Sequence, residues 1–409
     1  MDARAFEDFA ASGYNRIPVY HSFKLDVSSD KFLSLLQKSS RALLEFKDEL
    51  CKHISIFALS ATEIVTYHNR IITVEKNKKI LQQFEIDTIP TINPLDWLND
   101  YHSYHTTPRT EILPQFSGGL IGYMGATLCE FTQLKFSPMA SNNLPDFAFM
   151  LCDDFLVIDH KKQQMWLITY IDPIITHAHQ KANERLMALA EQITTEVSLE
   201  KKINEISTQI IITDDDELIT NHDISEIQFI HKSSSHEFST FIQHYKKVSL
   251  PAYFIHFDNY YLYGFGKNSL KKHRQNITLD FKPTTWPNLN IDQTLENYSK
   301  IECQKKLSTL CLHQEFHTGA SDINCLLPPE FTAIDMIKAV MPHPLQFNYT
   351  DKKTLNRVHI KTQHTFIQQQ GLMGMLTWHD DFVGQFSFHS WLKQNQSCHF
   401  VTIRQKNDD

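Results

Sequence analysis

The sequence predicts an α+β protein in which mostly antiparallel β-sheets carry helices on their outside. Three observations lead there. Strand-like runs come in groups rather than alternating one-for-one with helices, so a doubly wound parallel sheet fits poorly. The stretch DFAFMLCDDFLVIDHKKQQMWLITYI (146–171) holds three such runs, the last two joined by the polar HKKQQ turn. Amphipathic stretches opening near Thr176, Ser235 and Thr332 stand between the strand groups.

In chain order, an extended run from Phe23 leads into a helix from Ser29, with Phe32, Leu35 and Leu36 on one face. Residues 54–76 read as two strands. Residues 90–114, rich in Pro, Thr, His and Tyr, read as a long surface connection. A helix is expected from Thr176, with Leu186, Leu189, Ile193 and Val197 on its buried face. Residues 198–236 carry mixed charge, the acidic run Asp214–Glu217 and a serine cluster, and mark the domain boundary. Consecutive carboxylates cannot all face one ion, so that run reads as a solvated loop. Beyond it, Ser235 caps a helix bearing Phe238, Phe241, Ile242 and Tyr245. AYFIHFDNYYLYGFG follows as a hairpin turning at Asp258-Asn259. Thr332 and Asp335 form a capping box for a helix through Ala339, stopped by Pro342 and Pro344. LMGMLTW and QFSFHSWL complete the chain as strands.

Composition narrows the function classes. A net charge of −8 argues against a nucleic-acid partner, because phosphate binding needs a basic face. No apolar run is long enough for a bilayer span and no signal peptide is read at the N-terminus. Seven cysteines without CxxC spacing read as reduced thiols, so a cytoplasmic protein is expected. No metal-ligand spacing stands out. Among 22 histidines, His21, His256, His313, His343 and His389 each read as ordinary core or surface residues. Cys311 and His313 carry only a faint nucleophile–base signal, since near neighbours in sequence need not face each other.

Four of the eleven glycines fall in FSGGLIGYMG (116–125). A phosphate loop needs a helix immediately after it, and this stretch offers neither that helix nor the GxGxxG order. The expectation is structural: Gly118 and Gly119 make a bend, while Gly122 and Gly125 let a strand approach another backbone. Leu113-Pro114, Phe116, Gly118, Gly119, Gly122 and Tyr123, then Leu144-Pro145-Asp146, then Val157, Asp159 and His160, resemble component I of aminodeoxychorismate (para-aminobenzoate) synthase and its relative anthranilate synthase. The resemblance is good over residues 20–170.

That resemblance implies a two-layer sandwich of sheets, with a component I N-terminal-like domain over 15–200 and a shortened chorismate-binding-like domain over 235–405. It implies chorismate as substrate, a glutamine amidotransferase subunit as ammonia source, Mg²⁺ as cofactor and a place in folate biosynthesis. Lys282, with Thr284, falls where the family carries its nucleophilic lysine. Leu44 and Glu45 fall in the family's Leu-Leu-Glu segment, which lines a tryptophan pocket, and Pro251 and Tyr253 follow its Asn-Pro-x-Pro-Tyr turn. The C-terminal half departs from the pattern. Pro283 replaces a glycine, and Gln304-Lys305-Lys306 stands where a helix should carry magnesium-binding carboxylates. The second expectation is therefore a non-catalytic member that keeps the fold and a small-molecule pocket or a glutaminase-docking surface.

Overall fold

The computed structural model describes residues 1–24, 40–46, 54–86, 93–114, 116–125, 128, 145–206, 226–229, 252–257, 260–265, 276–281, 301–306, 309–315, 321–327, 332–340, 349–350, 357–358, 371–390 and 395–405. The expected helices from Ser29 and Ser235, the acidic run at 214–217 and the prolines at 342 and 344 lie outside the described residues.

Two large sheets dominate, and the α+β reading holds. The first has eight strands in the order β1-β10-β9-β3-β2-β14-β16-β15. These are β1 (Ile17–Lys24), β10 (Gln164–Ile171), β9 (Asp154–Asp159), β3 (Ile54–Ala58), β2 (Ala42–Phe46), β14 (Asn276–Phe281), β16 (Thr309–Glu315) and β15 (Ile301–Lys306). The second has ten, in the order β11-β17-β22-β21-β20-β7-β8-β4-β5-β6. These are β11 (Glu226–Phe229), β17 (Ser321–Leu327), β22 (Asn395–Gln405), β21 (Phe382–Ser390), β20 (Gly371–Thr377), β7 (Gly119–Gly125), β8 (Phe147–Leu151), β4 (Glu63–His68), β5 (Ile71–Lys76) and β6 (Lys79–Glu85). Two hairpin-like pairs stand apart: β12 (Ala252–Phe257) with β13 (Tyr260–Phe265), and β18 (Tyr349–Thr350) with β19 (Arg357–Val358). Among the described residues, only the β11–β17 and β17–β22 pairs are parallel. Strands from before residue 172 and after residue 225 enter both large sheets, so each sheet is completed by both halves of the chain.

Alternation along the strands sorts the core. In the eight-stranded sheet Ile56, Ala58, Phe155, Val157, Ile168 and Tyr170 join one buried cluster, while their neighbours Phe57, Leu156, Ile158 and Leu167 join another. The second cluster is closed by α1 (Ala3–Ala11), through Phe6, and by α3 (Ala178–Ile206), through Ala178, Ala182 and Leu186. The first cluster takes residues from both faces of β7 and β8, together with α2 (Pro94–Ser103) and α4 (Ala333–Val340). Arg185 fastens α3 to the eight-stranded sheet with two hydrogen bonds from Nε to the fully buried Asp154 carboxylate, at 2.8 and 2.9 Å.

Four expectations need correction. Residues 54–76 form three strands, because Asn69 and Arg70 both take positive φ (50° and 66°) and reverse the chain between β4 and β5. The connection at 90–114 contains α2. Asn93 caps it, accepting from Leu95 N at 2.9 Å, Pro94 occupies its first turn, and Leu95, Leu98 and His102 form its buried face. The helix expected from Thr176 runs on to Ile206, into the stretch read as a boundary. A further strand, β22, follows the two read at the C-terminal end. The capping box of α4 is present as read: Asp335 N donates to Thr332 Oγ1 and Thr332 N donates to Asp335 Oδ2, each at 3.1 Å. The hairpin at 252–265 and the three strands within 146–171 are also present as read.

The glycine stretch is a strand near the middle of the ten-stranded sheet. Gly122 faces Gly374 in β20, and Gly374 faces Gly384 in β21, giving one row of glycines across three adjacent strands. A Cβ on Gly122 would fall 2.0 Å from the Ala148 carbonyl oxygen, and one on Gly374 2.3 Å from that of Val383. The strands approach too closely there for any side chain, and the rings of Phe149 and Phe382 lie against the glycines instead. Gly122 thus has the close backbone approach expected of it. Gly119, expected in a bend, opens the strand itself under the same constraint from Leu376 O, and the space beside Gly118 is filled by Tyr170 and Trp378.

Candidate functional site

The residues singled out in the sequence fall into three groups. Lys282, Thr284 and Pro251 lie outside the described residues. Tyr253 is on β12, in a two-stranded sheet of its own. Leu44 and Glu45 are on β2, but as neighbours in a strand they point to opposite faces. Leu44 is fully buried in the cluster shared by both sheets. Glu45 sits opposite Ser55, whose hydroxyl is 2.8 Å from His160 Nε2. β2 also pairs with β14, Leu44 facing Ile277, and Lys282 is the residue immediately after β14. The backbone therefore sets the Leu-Leu-Glu strand beside the strand that leads to the lysine. Tyr123 donates from its hydroxyl to Pro145 O at 2.9 Å, which joins the glycine strand to the Leu-Pro-Asp segment. Asp159 caps its own turn by accepting from Lys161 N and Lys162 N at 3.0 and 2.9 Å.

A second constellation was not singled out in the sequence. It gathers at the turn between β20 and β21, where Asp380 takes positive φ (60°) and Thr377 N donates to Asp381 O at 2.7 Å. Trp378, at this turn, is its hub. The Arg16 guanidinium lies over the indole, 4.7 Å from the ring centroid. His102 stacks with the same indole at 6.1 Å, and its Nε2–H donates to Thr377 O at 2.7 Å. The His105 and Tyr170 rings approach it at 5.7 and 6.0 Å. Arg16 also pairs with Asp153 and donates to Cys152 O at 3.0 Å. Beside these rings, Tyr101 donates to Glu63 Oε2 at 2.7 Å, and Lys76 holds the other carboxylate oxygen at 3.0 Å.

Burial sets the electrostatics. It lowers His102 to about 4 against the raising effect of the Thr377 hydrogen bond. It lowers His105 to about 3, helped by the positive charges of Arg16 and Lys76 and by His102. His379 falls to about 4 through burial and the neighbouring Arg109 and His102. The Tyr170 phenol is pushed up to about 12 by burial, and burial followed by the Glu63 carboxylate raises Tyr101 further. At neutral pH the three imidazoles and both phenols are uncharged. None of these shifted values lies near 7. The sequence signals were present but weak: an arginine opening an apolar run (RIPVY), two carboxylates between apolar strands (LCDDFL) and Trp-His after a strand.

Among the described residues, no group of three or more His, Cys, Asp or Glu could hold a metal ion. The stretch that the resemblance assigns to magnesium ligands does not fit that ion. Gln304, Lys305 and Lys306 lie in β15, paired antiparallel with β16 where a helix was implied, and lysine offers Mg²⁺ no oxygen. No helix among the described residues is long and apolar enough to cross a membrane.

No family model matches the chain. It is similar to several proteins named anthranilate synthase component 1. The one from Neisseria gonorrhoeae is 28% identical over 224 residues, 52% of this chain and 44% of that protein. Those from Acinetobacter calcoaceticus and Acetivibrio thermocellus are 28% and 27% identical, over 48% and 50% of this chain and 41% and 44% of theirs. The chain thus matches less than half the length of each of these relatives. A solved anthranilate synthase component I from Streptococcus pneumoniae aligns over 80% of this chain and 81% of its own, at 15% identity and a TM-score of 0.34.

Proposed function

We propose that this protein is a component I-like member of the chorismate-aminating synthases. The observation that carries the reading is the similarity to anthranilate synthase component 1 over half the chain. The pairing of β2 with β14 is compatible with it: β2 carries Leu44 and Glu45, and β14 ends at Phe281, the residue before Lys282 in the sequence. The proposed substrate is chorismate, the proposed partner a glutamine amidotransferase subunit, and the compartment the cytoplasm. The names of these relatives favour the anthranilate product over the para-aminobenzoate precursor first read from the motifs. The test is purified protein with chorismate, ammonium and Mg²⁺, followed by chorismate absorbance and by separation of ortho- from para-amino products. Steady consumption with one amino product is the expected result, and Lys282→Ala shows whether the lysine takes part.

One observation favours a second reading, a non-catalytic relative. Lys305 and Lys306 bring positive charge where the resemblance implies magnesium-binding carboxylates, and their segment is a strand. On this reading chorismate is not consumed under any of those conditions, while calorimetry still detects a small ligand or the amidotransferase subunit. Magnesium-dependent chorismate turnover would rule it out.

A further inference from the structure

We propose that Arg16, His105 and Trp378 together form a buried binding site for one hydroxyl oxygen, that of a water molecule or of a small hydroxylated ligand. Each of the three carries a buried nitrogen with no hydrogen-bond partner: Arg16 Nε, His105 Nε2 and Trp378 Nε1. Arg16 and Trp378 are more than nine-tenths buried, so bulk water cannot satisfy them. Burying a polar atom without a partner is costly, and of the six such atoms among the described residues these three belong to one indole and the two side chains packed against it, which is the ground for a shared partner. The indole is in contact with both other groups, 4.7 Å from the guanidinium carbon and 5.7 Å from the imidazole centroid.

The hydrogen count selects the ligand chemistry. Arg16 Nε and Trp378 Nε1 can only donate. The His105 ring is neutral, so one of its nitrogens accepts. A hydroxyl oxygen takes two hydrogen bonds on its lone pairs and gives its own hydrogen to His105 Nε2, which satisfies all three groups. A simple anion has no hydrogen to give the imidazole, and Arg16 is already balanced by Asp153. A cation would face two donors. The arrangement therefore requires the tautomer of His105 with its proton on Nδ1. Thr107, two residues beyond His105, adds a further buried hydroxyl without a partner. The bound oxygen would link the segment before β1, the end of α2 and the β20–β21 turn.

A high-resolution crystal structure of the full chain separates the two sources. One isolated oxygen within hydrogen-bond distance of the three nitrogens identifies water, and connected density identifies a ligand hydroxyl; either supports the site. Arg16 Nε or Trp378 Nε1 donating directly to a protein carbonyl, with no oxygen between, overturns it. In solution, ¹⁵N spectra should show His105 as the Nδ1–H tautomer, and the opposite tautomer would also overturn the proposal. Trp378→Phe keeps a ring beneath Arg16 and removes one donor. It should weaken the cross-peak between Arg16 Hε and the bound oxygen's hydrogen severalfold. His105→Leu removes the acceptor and should do the same if Trp378→Phe fails to fold. An unchanged cross-peak in the folded variant would sink the idea.

Discussion

The strand β20 serves two regions that solve opposite problems. At Gly374 it passes between Gly122 and Gly384 with no room for a side chain. Four residues on, at Trp378, the chain leaves the sheet and becomes the hub of a polar and aromatic cluster. The first region is fixed by what is missing, a Cβ, and holds no titrating group. The second is fixed by what is added, and its energetics depend on keeping imidazoles uncharged. The contrast predicts that the two regions fail under different insults: volume in the first, charge and acidity in the second.

The largest effect is expected at the glycine row. A Cβ on Gly122 meets a backbone carbonyl at 2.0 Å, and backbone within a sheet cannot move aside as a side-chain tip can. Gly122→Ala should cost about 3 kcal/mol, the upper end of the overpacking range, and Gly122→Val should prevent folding. Urea unfolding measures this. A midpoint unchanged in Gly122→Ala would show that β7 and β8 can separate, and would break the contrast at its stronger end.

Asp154 comes next. It is fully buried and accepts from Arg185, from Thr169 Oγ1 at 2.9 Å and from Ser60 Oγ at 2.5 Å. Asp154→Ala leaves two hydroxyls without their acceptor and unfastens α3, while the half-exposed Arg185 side chain can return to water. The expected loss is about 2 kcal/mol, between that of a plain hydrogen bond and that of a fully buried ion pair. Removal of the Asp96–Lys338 pair, exposed on its Asp96 side, should cost about 0–1 kcal/mol by comparison. Equal losses in the two variants would mean that burial does not set the strength of these pairs.

Acidification tests the polar region. His102, His105 and His379 have folded values of about 4, 3 and 4, below the usual histidine value of 6.5. Below pH 6.5 the unfolded chain takes up protons that the folded chain refuses. Their stabilising effect is therefore complete above 6.5 and lost as pH falls toward 4, with the last part going near 3. Each contributes a slope of up to about 1.4 kcal/mol per pH unit in that window. Chemical unfolding at pH 7.5 and 5.5 should show lower stability at 5.5, and His379→Gln should flatten the slope. A stability independent of pH between 5.5 and 7.5 would show that these rings are not held neutral.

How much of this was legible follows from what each element asks of its residues. The hairpin at 252–265 and the strands within 146–171 were readable because alternation and turns are local signals. The capping box at Thr332 and Asp335 was readable for the same reason. α2 was not, although Asn93-Pro94 is a good start signal, because its face is shared with a histidine and its surroundings are rich in turn formers. The role of Gly122 was legible only in outline. Its partners Gly374 and Gly384 lie more than 250 residues away, and register across a sheet is not written in spacing. The Trp378 cluster was illegible for a related reason: residue 16, residues 101–105 and the turn after β20 meet only through tertiary structure. Of the candidate site, the backbone placed Leu44 beside Ile277, while Lys282 and Thr284 fall outside the described residues.

The smallest expected effect lies at the other end of the same sheet, where most side chains face solvent. β6 is an edge, exposed along nearly its whole length, and among the described residues it pairs only with β5. Leu81 is 55% exposed and lies where the register shifts opposite Val74 and Glu75. Such irregularities and edge lysines like Lys79 discourage pairing with other chains, whereas Ile80 and Leu81 invite it. Leu81→Lys removes little buried surface, so stability should change by no more than about 0.5 kcal/mol. Its effect should appear in light scattering during refolding, as less association than wild type. A loss well above that figure, about 1.5 kcal/mol or more, would mean that β6 is covered in solution and that the ten-stranded sheet does not end there.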